Sequence, residues 1–259
     1  MSVDLGHFIK AVETIAPPWL AEAWDNSGLI LRCSDTVSKV LVALDVTKAV
    51  AAEARQTGCD MILAHHPLLF EPKKTLDGRH AADDVLMDLI KAGISLYAAH
   101  TSYDKADGGI NDMLAHKVGL NNVCVADDGL MRIGDLPKQM DKDTFLNHIK
   151  SSLNALNLRI SAVPHKTITS VAVAGGSGGD YLFSAKQAGA QALITGEAKY
   201  HHFLESQSLG ICLACAGHFE TECHFTQQIF MSLQAWLDEV ELDLAIVKSS
   251  SERAPYTDI

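Results

Sequence analysis

The chain has 259 residues, of which 47% are hydrophobic and 20% are charged, and its formal net charge is −11. This length suits one large or two modest domains with a sizeable core. The negative charge, without any Lys/Arg run, argues against general binding to nucleic acid. No apolar stretch reaches membrane length, and the N-terminus lacks the segments of a signal peptide. The six cysteines are scattered, which suits a reducing compartment. We therefore expect a cytoplasmic protein with neither a membrane nor a nucleic-acid partner.

Helices and strands alternate through the first half of the chain. Residues 3–15 carry apolar side chains at helical spacing and are stopped by Pro17-Pro18, and residues 29–31 read as an edge strand. Further on, the pattern predicts strands at 40–44, 61–64 and 94–99 and helices at 48–56, 83–91 and 110–118. Thr47 and Gly58 are suited to cap the start and the end of the helix at 48–56.

The second half repeats the pattern of the first at a constant offset of 131 residues. The segment 40–43 matches 171–174 and the segment 61–64 matches 192–195. We therefore predict an α/β fold with two similar α/β domains, 1–128 and 129–259, and mainly parallel sheets. A helix at 142–156 opens the second domain. A helix at 221–237 and a strand at 242–247 end the chain and are candidates to pack back on the first domain.

Polar side chains follow several of the predicted strands. The run Met61 to Ala64 ends in His65 and His66, and Pro67 then stops the strand. Further histidines and carboxylates follow other apolar runs, namely His100, Asp104, His218 and Glu222. In open α/β sheets, ligands bind outside the carboxyl ends of the strands.

Donors of this kind favour a metal site. His and carboxylate ligands without thiolates suit Zn, Fe, Mn or Co, and more than four of them suggest two bridged ions. Each residue also has a simpler interpretation. The histidines could be solvated or hydrogen-bonded in the core, Asp104 could cap a turn, and Glu222 could stabilise the first turn of its helix.

Three further segments could have either a functional role, in binding or catalysis, or a purely structural one. The run Gly175-Gly176-Ser177-Gly178-Gly179 could hold an anion on its N–H groups or could simply form a tight turn. In the stretch 195–202, Glu197 or His201 could carry protons, or the segment could be an ordinary helix start. Cys212 and Cys215 have zinc-knuckle spacing, but within a strand they face opposite sides of the sheet. That geometry argues against a cysteine metal site.

The chain closely resembles the NIF-three-like dimetal family, whose members are often named GTP cyclohydrolase I type 2 homologs. The resemblance runs through nearly the whole chain, and the matching segments are Trp24-Asp25-Asn26-Ser27-Gly28-Leu29, Ala64-His65-His66-Pro67-Leu68, Ala99-His100-Thr101-Ser102-Tyr103-Asp104, Gly108-Gly109-Ile110-Asn111-Asp112, Gly175-Gly176-Ser177-Gly178, Thr195-Gly196-Glu197-Ala198-Lys199-Tyr200-His201 and Gly217-His218-Phe219-Glu220-Thr221-Glu222. It implies two α/β domains, a dinuclear metal centre in the interdomain cleft and a toroidal homohexamer. It assigns the two ions to five ligands, with Glu222 bridging, and these are His65, His66, Asp104, His218 and Glu222.

The resemblance places His100 beside these ligands rather than among them. We therefore keep His100, Glu197 and His201 as catalytic candidates. The expected function is a metal-dependent hydrolase, resembling GTP cyclohydrolase, that acts on a small nucleotide-like substrate and uses two divalent ions per subunit. The alternative is a non-catalytic metal-binding scaffold, chaperone or regulatory partner protein.

Overall fold

The structure, a computed structural model, describes residues 2–162 and 166–257. Its strands, in chain order, are β1 (Val3–Asp4), β2 (Gly28–Leu31), β3 (Thr36–Val37), β4 (Lys39–Ala43), β5 (Met61–Ala64), β6 (Ser95–Ala98), β7 (Asn121–Ala126), β8 (Met131–Asp141), β9 (Arg159–Ile160), β10 (Thr167–Ala174), β11 (Ala192–Thr195), β12 (Cys212–Cys215) and β13 (Ala245–Lys248). Its helices are α1 (Leu5–Ile15), α2 (Lys48–Thr57), α3 (Ala81–Ala92), α4 (Thr101–Lys105), α5 (Ile110–Val118), α6 (Lys142–Leu153), α7 (Leu182–Gln187), α8 (Tyr200–Leu209), α9 (His218–Glu222) and α10 (Phe225–Val240). Within these described residues, every helix is too short or too polar to span a lipid bilayer.

The chain divides into two compact units with a boundary that differs from the predicted one. The first unit joins Met1–Ala106 to Phe225–Arg253, and the second joins Asp107–His224 to Ala254–Ile259. The boundary precedes α5 because this helix packs on the second sheet, where Leu114 is in the same core cluster as the β10 residue Val171. The C-terminal helix and strand do belong with the first unit, since β13 pairs with β4.

The first unit contains a five-stranded sheet in the order β13-β4-β5-β6-β2. All neighbours are parallel except β2, which runs antiparallel to β6 at the edge. The central strands are buried apart from Lys39, and one face of them, which includes Leu41 and Ile62, forms one core with helices α2 and α3. The caps predicted for α2 are confirmed: Thr47 accepts from the Val50 N–H, and Gly58 ends the helix at φ 69°. A short β1–β3 ladder lies apart from this sheet.

The second unit contains a six-stranded mixed sheet in the order β7-β8-β10-β11-β12-β9. Only β10, β11 and β12 are mutually parallel, and the other pairings are antiparallel. The predicted internal repeat is confirmed in the register, because Val40 pairs with Met61 in the first sheet and Val171 pairs with Ala192 in the second. Cys212 and Cys215 belong to different core clusters, so their thiols face opposite sides of β12.

Besides the domain boundary, two further parts of the chain differ from the prediction. The strands β7 and β8 form an antiparallel ladder where we had predicted only a domain boundary. The single helix expected at 221–237 is two helices, α9 and α10, and Glu222 is the last residue of the first. Glu222 therefore does not lie in the first turn of a long helix, and its position needs another explanation.

The C-terminal segment of the first unit is held by two glutamates. Glu53 on α2 accepts hydrogen bonds from the serine run that follows β13, including the Ser249 and Ser250 hydroxyls at 2.6 and 2.7 Å. Burial opposes the charge on Glu53, but these hydrogen bonds outweigh it and lower its pKa to about 2. Glu252 accepts the Leu44 N–H and, at 2.8 Å, the Thr226 hydroxyl. The segment is thus tied to the carboxyl end of β4.

Candidate functional site

In the first unit, three histidines gather just beyond the carboxyl ends of β5 and β6. The His65 and His66 N–H groups continue the ladder of β5 by donating to Ala43 and Leu44 at 3.2 and 3.0 Å. His100 follows β6 and precedes α4. One ring nitrogen from each of these histidines lies within 4.8 Å of the others. The parallel strands thus bring the three rings together, as the strand-end pattern predicted.

Each ring in this group has its Nδ1 next to an oxygen acceptor. His65 Nδ1 lies 2.8 Å from the Ala99 carbonyl oxygen, and His66 Nδ1 lies 2.8 Å from Asp45 Oδ1. Carbonyl and carboxylate oxygens only accept hydrogen bonds, so each Nδ1 carries the proton. The opposite nitrogen, Nε2, then has the lone pair that a metal ion needs.

His100 is oriented in the same way by a buried carboxylate. Its Nδ1 lies 2.8 Å from Asp25 Oδ1, and the Asp25 side chain has no exposed surface. Asp25 also accepts from the Ser27 and Thr101 hydroxyls, each at 2.6 Å. Burial opposes ionisation of Asp25, but the hydrogen bonds from His100, Ser27 and Thr101 prevail and hold its pKa well below the usual range. Asp25 therefore stays negative and fixes the tautomer of His100.

Asp104 completes the donor set of the first unit. It lies on α4, one turn beyond His100, and its N–H donates to the His100 carbonyl at 3.1 Å. Its Oδ1 lies 3.6 Å from His65 Nε2, and His65 is fully buried. The short helix α4 therefore returns a carboxylate to the histidines. The first unit thus holds three nitrogen donors and one oxygen donor.

The second unit contributes a histidine and a glutamate from one turn of helix. His218 and Glu222 occupy the first and last positions of α9, and His218 Nε2 lies 3.0 Å from Glu222 Oε2. His218 Nδ1 faces Glu197 Oε1 at 3.2 Å. Since a carboxylate only accepts, the orientation of His218 matches that of the other three histidines. Glu197, a candidate proton carrier, is thus placed to orient a ring.

The glycine run between β10 and α7 supports Glu222 rather than presenting its N–H groups to an anion. The Gly175, Gly176 and Gly178 N–H groups donate to Asn111 Oδ1, Thr221 Oγ1 and Thr195 Oγ1 at 2.8, 3.2 and 2.8 Å. These groups are already engaged, so the anion interpretation is wrong for them. The turn interpretation is the one that fits.

Glycine is required at position 176 because of the carboxylate beside it. A Cβ on Gly176 would overlap Glu222 Oε1 and would lie 3.1 Å from His218 Nε2, and its φ of +57° disfavours other residues. The main chain of this loop therefore packs directly against both donors of α9.

A second cluster, formed by Asp180, His201 and His202, has different chemistry. Ligand atoms of the three also lie within 4.8 Å of one another. However, His202 Nδ1 accepts the Lys199 N–H at 3.2 Å, which leaves the proton on Nε2, 3.0 Å from Asp180 Oδ1. The nitrogen that faces the cluster is thus a donor to a carboxylate, in contrast to the other four histidines. His201, a catalytic candidate, lies in this cluster.

Sequence reasoning missed the acceptors that orient the rings. The sequence pattern assigns no role to Asp45, and Asp25 is part of a segment that matches the family but has no predicted role. Asp45 carried a usable signal, because β4 and β5 pair Ala43 with Ala64 and this register places residue 45 near residue 66. Asp25 is 75 residues from His100 along the chain and gave no such signal.

The fold and these strand-end donors define a class of mixed α/β proteins with histidine and carboxylate clusters that could bind metal. The chain belongs to the Duf34/NIF3 (NGG1p interacting factor 3) family, whose model matches residues 3–255. This confirms the resemblance found in the sequence.

Named relatives and a solved structure agree with the family. A Clostridium perfringens protein named "GTP cyclohydrolase 1 type 2 homolog" is 34% identical, covering 98% of this chain and 99% of its own. A Helicobacter pylori protein named "GTP cyclohydrolase 1 type 2" is 34% identical over 84% of this chain and 86% of its own. The crystal structure of a Bacillus cereus protein related to NIF3 has a TM-score of 0.92 at 25% identity and covers 99% of both chains.

Proposed function

We propose that this chain binds two divalent metal ions and acts as a metal-dependent hydrolase on a small, nucleotide-like substrate. The five proposed ligands are His65, His66, Asp104, His218 and Glu222. The observation that carries the proposal is the shared orientation of the ligand histidines. All three direct Nδ1 to an oxygen acceptor and keep the Nε2 lone pair for a ligand bond.

The donor chemistry fits Zn, Fe, Mn or Co, because it combines imidazole with carboxylate and lacks thiolate. Glu222 offers two oxygens, and the tight packing of Gly176 against it holds the carboxylate in place. Such an acid can bridge two ions, which would supply Lewis acidity and lower the pKa of a bound water. The closed four-ligand arrangement typical of purely structural zinc is absent from this donor set.

We assign the proton transfers to His100. Its Nδ1–H is fixed by the buried, ionised Asp25, so Nε2 can accept a proton and the carboxylate stabilises the resulting cation. Glu197 orients His218 and needs no proton of its own for that role. His201 lies with Asp180 and His202, and we give it no part in the reaction.

The names of the relatives suggest GTP as the first substrate to test. In hydrolysis of GTP at imidazole-ring C8, the oxygen of a water adds to C8 while a base takes a proton from that water. The electron pair of the C8=N7 double bond moves to N7, which takes up a proton, and cleavage of the C8–N bonds then releases C8 as formate. His100 is the group in this chain suited to be that base. We also propose that the protein is cytoplasmic. We further propose that it assembles as a homohexamer, and light scattering of the purified protein would measure that oligomeric state.

The test begins with metal content. Protein purified without a His tag or chelator should hold about two ions per chain by elemental analysis, and Glu222→Ala should hold fewer. Metal-loaded wild type should then turn over GTP or another nucleotide faster than a His65→Ala, Glu222→Ala double variant.

Two outcomes would contradict the proposal at different levels. One ion or none, unchanged in Glu222→Ala and not restored by added metal, would refute the dinuclear site. Two ions without any turnover above the double variant would instead favour the non-catalytic scaffold, chaperone or regulatory role.

A further inference from the structure

Two exposed aromatic rings lie against His100 in the first unit. Trp24 is 62% exposed and Phe70 is 51% exposed. The ring centroids lie 6.3 Å from His100 for Trp24 and 5.4 Å for Phe70, with interplanar angles of 77° and 86°. These contacts are T-shaped, so they leave much of both aromatic rings uncovered.

The rings are held in place by the loops that carry them. Asp25, beside Trp24, is fixed by its bonds to His100, Ser27 and Thr101. The Asn26 side-chain amide donates to the Leu69 carbonyl at 2.6 Å and joins this loop to the one that carries Phe70. Exposed aromatic rings on braced loops lose little side-chain entropy on binding, which favours a ligand site.

The two aromatic rings also lie next to the histidines that could bind metal or transfer protons. His100 shares a cluster with His65 and His66, and its ring centroid is 5.2 Å from that of His65. A molecule that covers Trp24 or Phe70 would therefore lie beside the nitrogen donors. Apolar ring faces attract flat, polarisable groups by stacking, and this attraction does not depend on a particular pattern of hydrogen bonds.

We propose that Trp24 and Phe70 form a binding subsite for a flat aromatic heterocycle, adjacent to the His65, His66 and His100 cluster. The inference rests on the proposed function, since it describes the substrate of that same site. It gives a role to two exposed aromatic rings that lie beside the histidine cluster. The substrate class is a ring compound, and the rings select shape rather than a single base.

The experiment measures binding without turnover. Zinc-loaded wild-type protein is titrated with guanosine, uridine and, as a ligand without an aromatic ring, ribose 5-phosphate, and followed by calorimetry and tryptophan fluorescence. Guanosine should bind more tightly than uridine because it stacks over a larger area. Both nucleosides should bind more tightly than ribose 5-phosphate. Quenching should come from Trp24 and disappear in Trp24→Phe.

Matched variants separate the subsite from general effects. Trp24→Ala and Phe70→Ala should each weaken guanosine binding about fivefold or more, as loss of one stacking partner does. Tyr200→Ala and Phe183→Ala remove aromatic rings of the second unit that are 79% and 52% exposed, and they should leave binding unchanged. All four variants should keep the metal content of the wild type.

Several results would overturn the inference. One is that neither nucleoside binds the metal-loaded wild type, and another is that the control variants weaken binding as much. A third is that Trp24→Ala and Phe70→Ala change the oligomeric state by light scattering but leave nucleoside binding intact, which would make the surface an interface between copies. Metal content is read separately, so loss of the dinuclear site with intact ring binding would refute only the proposed function.

Discussion

Replacing Asp45 with alanine tests whether the acceptors behind the rings tune metal affinity. The Asp45–His66 hydrogen bond is 2.8 Å long, and the two side chains are 42% and 18% exposed. Loss of such a partner costs about ten- to hundredfold in metal affinity. Because water can reach the vacated position and replace the carboxylate, we expect the lower end, about tenfold or ~1.4 kcal/mol. Asp45→Asn retains an acceptor but loses the charge, so it should fall between the wild type and Asp45→Ala.

The assay is competition for zinc between the protein and a chromophoric chelator at constant pH. Asp35→Ala is the control, because its carboxylate is 83% exposed and pairs with the exposed Arg32. Glu197→Ala should weaken binding less than Asp45→Ala, since its bond to His218 is longer and its side chain is 60% exposed. Wild-type affinity in Asp45→Ala, or an equal loss in Asp35→Ala, would refute the reasoning.

Three other substitutions test separate features. Gly176→Ala forces a Cβ onto the Glu222 carboxylate, so it should lower both metal content and the melting temperature, and an unchanged metal content would contradict the tight packing. Arg132→Ala removes a fully buried guanidinium that pairs with the Asp112 carboxylate, and it should lower the free energy of unfolding in urea by about 3 kcal/mol. Substitution of an exposed arginine such as Arg55 should change that free energy little. Glu53→Gln should change how the free energy of unfolding depends on pH. The folded-state pKa of Glu53 is about 2 against an ordinary 4.5, so its contribution is complete above pH 4.5 and is lost as the pH falls towards 2. The wild type should therefore lose urea resistance more steeply than the variant across that window.

The parallel core of each unit could be predicted because its signal is local. Buried parallel strands are short apolar runs, and a proline or glycine marks their ends. The same runs placed His65, His66 and His100, since these three residues follow the ends of their strands closely. The repeat added long-range information, because the matched strands Lys39–Ala43 and Thr167–Ala174 pair with their neighbours in the same register.

The missed elements lacked that kind of signal. The strand Asn121–Ala126 is exposed along almost its whole length, so it has no buried face and no alternation of apolar residues. Cys223 and His224 separate two helices, α9 and α10. The spacing of apolar residues across both helices is that of a single amphipathic helix, so the sequence does not show the break. Asp25 reaches His100 only because β2 pairs antiparallel with β6, and no local feature of the sequence specifies that pairing.

The order in which the first unit receives its strands has a consequence for synthesis on the ribosome. Its sheet uses β4 near the start of the chain and β13 near the end, roughly 200 residues later. Translation adds about 5–20 residues per second, so the edge of β4 stays unpaired for on the order of 10–40 s before β13 is synthesised. During that interval the nascent first unit has an open, apolar edge strand, the feature that promotes pairing with other chains. Molecular chaperones that bind nascent chains should therefore raise the folding yield of this protein more than that of a protein whose units are each completed before the next is synthesised.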